Sequence, residues 1–415
     1  MSRPSTLPAI SIFLRRAPWA VLALLLFALN AWGIYALFTS RVQVAVWDFH
    51  PRWVGLRAMF LDGADPYSDE VTLAIQQQML GRPAHPDEDQ QAFAYPLHSM
   101  VLLGPLALLP LPIAQAVWFS LLEVSLLAFI VLAPRAVGWR SPTWLLAMTA
   151  VFVLGLYSNV WALILGQTSV VVAAILALAW WALRTERWGL AGVCLALATI
   201  KPQMAFLLVP GILAWAVYRR RWRLVAAFAL VLGVLVLVPV PWLPGWPLEW
   251  LVAARRYAGY TPFDPPLLML LRSEWLAAVV AAALLAWAVV RWYRAPQPRA
   301  AACDWALGML VVTGALVAPR TTHANQLLLL LPLFFVFRRL PGTWAVVAVE
   351  IGLLAVPWLL DLALLPPVSS GLQHTIWQNR VISPLLPFAL VLALLCLSPR
   401  PVPGEGGKFA QAGPP

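Results

Sequence analysis

Apolar runs of helical length recur from one end of this 415-residue chain to the other, and they leave it almost no soluble fold. A bilayer-spanning helix needs about 20 predominantly apolar residues. Runs that approach this length occupy residues 17–39, 113–134, 142–159, 168–184, 188–200, 203–218, 223–241, 274–292, 303–319, 323–338, 342–361 and 381–398. Hydrocarbon offers a peptide group no water, so each run has to bond its own backbone as a helix. Composition agrees: 62% of the residues are hydrophobic and 11% are charged, whereas soluble domains carry roughly 25% charged residues. The expected fold is an all-α polytopic membrane protein of about twelve transmembrane helices, with a structured first outer loop.

The net charge of +11 suggests nucleic acid only until its distribution is read. Basic residues fall in short clusters between apolar runs, as the positive-inside rule requires, so no nucleic-acid partner is expected. With the N-terminus inside and the twelve runs alternating, inner loops collect 18 of the 28 lysines and arginines. They include Arg184, Arg187, the cluster Arg219–Arg223, and Arg338–Arg339. This asymmetry supports the twelve-run count and a cytoplasmic N-terminus, and the expected location is the plasma membrane. Ala17–Phe38 is too long for a signal-peptide core, so an uncleaved first helix is expected. Cys194, Cys303 and Cys396 are far apart and form neither a disulfide framework nor a metal pair.

The expected organisation is one transmembrane domain over residues 1–398 and a disordered Gly- and Pro-rich cytoplasmic tail over 399–415. Residues 41–96 form the first outer loop. Its polar stretch Trp47–Tyr95 carries eight of the 17 carboxylates. Trp53, Leu56 and Phe60 recur with the spacing of an interfacial amphipathic helix. Asp65-Pro66-Tyr67 reads as a turn whose aspartate caps the next element. His85-Pro86-Asp87-Glu88-Asp89 reads as a solvated acidic loop. Residues 97–110, broken by Pro105, are too few to span and are expected to be re-entrant or interfacial.

Polar residues near the outer ends of the helices form a short roster. Ionisable groups at that depth usually face a cavity or a partner. Asp48 is either the cap of the following helix or a general base toward an acceptor hydroxyl. Arg52, one turn on, would hold Asp48 ionised or grip an anion. Gln167 would bond sugar hydroxyls or cap the next helix. Lys201, before Pro202 and Gln203, is either a snorkelling lysine or a cation at a helix break, suited to a lipid phosphate. Arg320 suits phosphate oxygens, and His323 beside it is structural or catalytic. Glu123 and Glu350 lie within helices without an evident partner. No cluster has firm metal-ligand spacing, so no metal or other cofactor is expected. A central polar chamber is also what a secondary transporter or flippase would have, but no repeated half is visible.

Several short blocks carry a resemblance. They are Trp47-Asp48-Phe49, Gly63-Ala64-Asp65-Pro66-Tyr67, Phe93-Ala94-Tyr95-Pro96, Gly166-Gln167, Thr199-Ile200-Lys201-Pro202-Gln203 and Ala318-Pro319-Arg320…His323. In this order the chain resembles membrane glycosyltransferases of the GT-C type, most closely glycosyltransferase family 87, which includes polyprenyl-phosphate-mannose-dependent mannosyltransferases. It departs at Leu97, where a second proline is common. The resemblance implies an inverting hexosyltransferase on the extracytoplasmic face. Its donor would be a polyprenyl-phosphate sugar, mannose for preference, and its acceptor a glycolipid or envelope glycan. It also implies Asp48 as base, His323 near the reaction, and Arg52, Gln167, Lys201, Gln203 and Arg320 as donor or acceptor contacts.

Overall fold

A computed structural model describes residues 21–36, 47–86, 88–261, 264–293, 301–318, 321–363 and 378–397. The predicted tail, 399–415, lies outside the described residues, as does Arg320. In chain order the helices begin with α1 (Val21–Ala36), α2 (His50–Asp62), α3 (Asp69–Leu80), α4 (Met100–Ala107) and α5 (Leu111–Ala136). Then come α6 (Thr143–Gly155), α7 (Tyr157–Ile164), α8 (Ser169–Arg184), α9 (Trp188–Ala198), α10 (Pro202–Ala205), α11 (Leu208–Tyr218) and α12 (Trp222–Leu237). The remainder are α13 (Trp246–Tyr260), α14 (Pro266–Leu271), α15 (Glu274–Tyr293), α16 (Ala301–Val317), α17 (Leu330–Phe337), α18 (Thr343–Ala363) and α19 (Leu385–Cys396). The described residues contain no strand.

Among the described residues each predicted apolar run is largely helical, so the class holds, but the count of full-length crossings does not. Four helices among these residues are long and apolar enough to cross a membrane, or five if α6 and α7 form one broken span. The others are shorter because the sequence interrupts them. Lys201-Pro202 separates α9 from α10, and a 3₁₀ segment, His323–Leu329, precedes α17. Leu97–Ala107 is likewise short, about 16 Å at the helical rise, against a hydrocarbon thickness of about 30 Å.

The chain divides into two compact units. The first comprises Met1–Ala128, Asn159–Val171 and Gly233–Thr261; the second comprises Phe129–Ser158, Val172–Leu232 and Pro262–Pro415. In the first unit, the stripe expected to lie on a lipid surface faces protein instead. Leu56 is fully buried, Trp53 Nε1 donates to Leu109 O at 3.1 Å, and Phe60 packs edge-on against Trp242. The physical reason is α4, whose last carbonyls need donors. Arg57 supplies another, to Ala107 O at 3.0 Å. The cap of α3 is also not the predicted one. Ser68 accepts from Val71 N, while Asp65 accepts from Tyr67 N at 2.9 Å in an Asx turn. Glu123 accepts from Asn30 Nδ2 at 2.6 Å.

The second unit is organised around a buried carboxylate. Asp304, 1% exposed, pairs with Arg184 at 2.7 Å and Arg338 at 3.4 Å and accepts from Trp180 Nε1. Charge alternation assigns these ionic residues to one membrane face, and here they meet. Two cations and an indole donor are the partners that a buried anion requires. Glu350 also finds a partner, accepting from Thr149 Oγ1 at 2.5 Å. Helices α9 and α12 approach at Gly192, where a Cβ would stand 2.3 Å from Leu224 O and 2.9 Å from Phe228 N. Backbone cannot retreat as a side chain can. Gly192→Ala is therefore expected to destabilise the protein by about 1–3 kcal/mol, read as a lower melting temperature in detergent. Gly189→Ala, where nothing lies within 4 Å, is the control and does not lower it.

Candidate active site

The site in the first unit is built on a helix ending. Helix α7 closes with Gly166 at φ +69°, a left-handed conformation that favours glycine. Gly166 N bonds Leu163 O and Gln167 N bonds Ala162 O at 2.8 Å, the paired bonds of a Schellman motif. The Gly166 carbonyl is held by Trp118 Nε1 at 2.9 Å, and the Trp118 ring stacks on buried Phe49 at 5.6 Å. One residue before Phe49, Asp48 N donates to Leu165 O at 3.0 Å. The root of the first loop is thus fastened to the Gly-Gln turn by backbone, indole and stacked ring.

This fastening brings Gln167 Nε2 onto Asp48 Oδ2, to which it donates a hydrogen bond. The reading of Asp48 as a helix cap fails here. The cap position of α2 is Phe49, without a side-chain bond, so Asp48 is not its cap. Gln167, 8% exposed, spends its amide on Asp48. Arg52 differs from its expected role as well. Its guanidinium donates to the Asp48 main-chain carbonyl, not to the carboxylate, and lies 3.8 Å over the Tyr95 ring. It is buried and braces the turn. Tyr95 is set in place by Tyr67, whose hydroxyl donates to Tyr95 O at 2.7 Å.

The acidic loop after α3 is not uniformly solvated. Glu88 is: Arg82 pairs with it at 2.8 Å, and that bond holds its carboxyl low, at about 2. Asp89 is half-buried and accepts from Gln91 N at 2.9 Å. Burial, and then the negative charge of Asp48, raise the Asp89 carboxyl from its ordinary value. Tyr257 and Tyr260 of α13 stay protonated, raised first by burial and then by Asp89. Asp48 adds to the effect at Tyr257. Asp48, Asp89, Tyr95 and Tyr257 therefore share one electrostatic neighbourhood. Nothing local in the sequence separates Asp89 from its acidic neighbours. Its inward position comes from buried Gln76, which donates to Gln90 O at 2.9 Å and accepts from Ala84 N at 2.9 Å.

The remaining expected site residues belong to the second unit. Lys201 is 1% exposed, so it does not snorkel to water. It sits extended (φ −124°, ψ 82°) at the break before α10, the conformation that a following proline favours. His323 is 2% exposed at the start of the 3₁₀ segment, its ring 5.3 Å from that of Tyr157. His323 N donates to Asn379 Oδ1 at 3.2 Å. Asn379 Oδ1 also accepts from Ser383 Oγ, and Gln326 Nε2 donates to Ser383 O. Gln203, Thr321, Thr322, Asn325, Gln326 and Ser383 line a cavity here. The amide and hydroxyl groups that line it are neutral.

Among known proteins, the model of glycosyltransferase family 87 matches residues 93–319, more than half of the chain. That stretch includes Gln167, Lys201, Gln203 and Tyr257 and stops short of Asp48 on one side and His323 on the other. No curated protein and no solved structure matches.

A raised carboxyl has a thermodynamic consequence of known sign. The folded state holds the Asp89 proton more tightly than the unfolded state does. Its stabilising contribution is complete below the unfolded value of about 3.9 and is lost as pH rises through the folded one. Asp89→Asn is thus expected to melt higher than wild type at pH 7, with the difference vanishing near pH 4. Thermal melts in detergent across that range check it.

Proposed function

The chain belongs to glycosyltransferase family 87, and from that premise we propose that it transfers a hexose from a polyprenyl phosphate to a lipid-linked or cell-envelope glycan. The transfer inverts the anomeric carbon, occurs on the extracytoplasmic face of the plasma membrane and has mannose as its first candidate sugar. Twelve helical segments, read as a GT-C-like bundle, would let the isoprenoid tail enter sideways from the bilayer. Membership of a glycosyltransferase family sets aside the transporter reading.

The observation that carries this reading is Asp48, its carboxylate oriented by Gln167 at the root of the first loop. An amide donor on one oxygen fixes the rotamer, so the base is aimed. The acceptor hydroxyl attacks the anomeric carbon from the face opposite the phosphate. A new C–O bond forms as the bond from carbon to phosphate oxygen breaks. The polyprenyl phosphate leaves with the electron pair, and Asp48 takes the hydroxyl proton. Arg52 acts through Asp48, bracing its carbonyl. Lys201, Arg320 and His323 are assigned to the growing charge on the leaving phosphate, a role for fixed cations and donors. Gln203 is assigned to the donor's polar head. The reaction as written calls on no resident cofactor.

Purified protein supplied with radiolabelled polyprenyl-phosphate mannose, glucose or galactose and membrane glycolipid tests the reading. Asp48→Asn is expected to lower transfer by about 10³-fold or more, since both proton removal and charge at the reacting centre are lost. Transfer by Asp48→Asn at the wild-type rate would remove Asp48 from the base role. Gln167→Ala leaves the carboxylate present but misaimed, and the expected fall in kcat is about 10- to 100-fold.

A further inference from the structure

A second opening lies in the first unit, outside the Asp48 neighbourhood, between the first loop and α13. It encloses about 350 Å³ and is walled by Asp65, Tyr67 and Asp69 on one side and by Glu249, Ala253 and Arg256 on the other. We propose that this groove binds the part of the acceptor glycan that lies beyond the sugar being extended, so that the acceptor is an oligosaccharide or a multi-sugar glycolipid. This rests on the reading of Asp48 as the base.

Helical spacing joins the groove to the reaction. Residues three and four apart share a helix face, so Glu249, Ala253 and Tyr257 form one row, and Arg256 is followed on its row by Tyr260. The lower part of this face lines the groove, and the upper part presents the two tyrosines that feel Asp89. Glu249 and Tyr257 are about 12 Å apart along the helix. One hexose ring cannot bridge that length. A chain of sugars ending at Asp48 and running along α13 can. Tyr67 ties the two places on the loop side, since it lines the groove and also donates to Tyr95 O.

The lining chemistry selects the ligand class. Three carboxylates against one guanidinium repel a phosphate, so this is not a second donor site. No three His, Cys, Asp or Glu groups among the described residues could together hold a metal ion, so the acids do not converge on a cation. Separated carboxylates accept well from hydroxyls that point in different directions, which is what a glycan presents. Glu249 lines the groove, and its Oε2 has no hydrogen-bond partner. The pair Arg256–Asp69, 2.9 Å long, lies across the groove with both side chains exposed, so a ligand can displace it.

The full-length protein in nanodiscs is given polyprenyl-phosphate mannose, glucose or galactose and synthetic lipid glycosides bearing one or three hexoses. The wild type is expected to prefer three-sugar acceptors by about tenfold or more in kcat/KM. In Ala253→Trp, which fills the groove, and in Glu249→Gln, the ratio is expected to fall toward one. A second arm needs no turnover: saturation-transfer NMR with free manno-, gluco- and galacto-trisaccharides on Asp48→Asn protein. Signal from a trisaccharide that disappears on adding Ala253→Trp supports the groove, with a melting curve confirming that the variant is folded. Equal kcat/KM for both acceptor lengths overturns the proposal, as does trisaccharide signal unchanged by Ala253→Trp or absent throughout. Absence of transfer with every donor, beside trisaccharide signal that Ala253→Trp abolishes, would count against the proposed reaction and leave the groove standing.

Discussion

A peptide group in hydrocarbon has no water to bond, and the architecture of this protein depends on that constraint. It forces apolar runs into helices and makes each interruption a place where polar atoms have to be answered by neighbours. Three interruptions among the described residues show this. The break at Lys201-Pro202 carries a cation that is 1% exposed. The break after α7 is closed by the two bonds of a Schellman turn. The 3₁₀ segment at His323 is tied to Asn379, Ser383 and Gln326. The candidate site residues stand at these interruptions because regular helix has no backbone valence to spare.

The Gly166-Gln167 turn shows how a short motif is converted into chemistry. The glycine is needed for its left-handed backbone, and its carbonyl anchors Trp118. Trp118 positions Phe49, and Phe49 sets the register of Asp48 against Leu165. Only then does the Gln167 amide meet the Asp48 carboxylate. A carboxylate fixed by packing that includes a fully buried ring is pre-organised, which a catalytic base on a free loop would not be. Asp89 is a different case, since its raised carboxyl is held near a like charge at a cost in stability. Perturbed carboxyls of this kind cluster at functional sites.

Family membership places the protein among glycosyltransferases, and the matched region supplies Gln167 and Lys201 but not Asp48. In the reading proposed above, Asp48 acts at the acceptor hydroxyl and the α13 groove holds the glycan farther along. The second unit holds Lys201 and His323, 1% and 2% exposed. Its Asp304 cluster, by contrast, is fully occupied by Arg184, Arg338 and Trp180 and holds helices together.

The sequence by itself determined the helical membrane class, because hydropathy over a run of residues is a local property that no later packing reverses. It also marked Asp48, Gln167, Lys201 and His323, because polar residues beside apolar runs stand out. Tertiary structure alone decided what those residues touch. Asp48 as ligand of Gln167 and not a cap, Arg52 as brace of a carbonyl, and Trp53, Leu56 and Phe60 turned toward protein instead of lipid all depend on elements distant in sequence. The same holds for Asp89, turned inward by a loop that Gln76 pins, and for the short breaks that divide apolar runs into helices below spanning length. Local composition carries no information about such partners, since a hydrogen bond or a buried contact is fixed by where two segments meet.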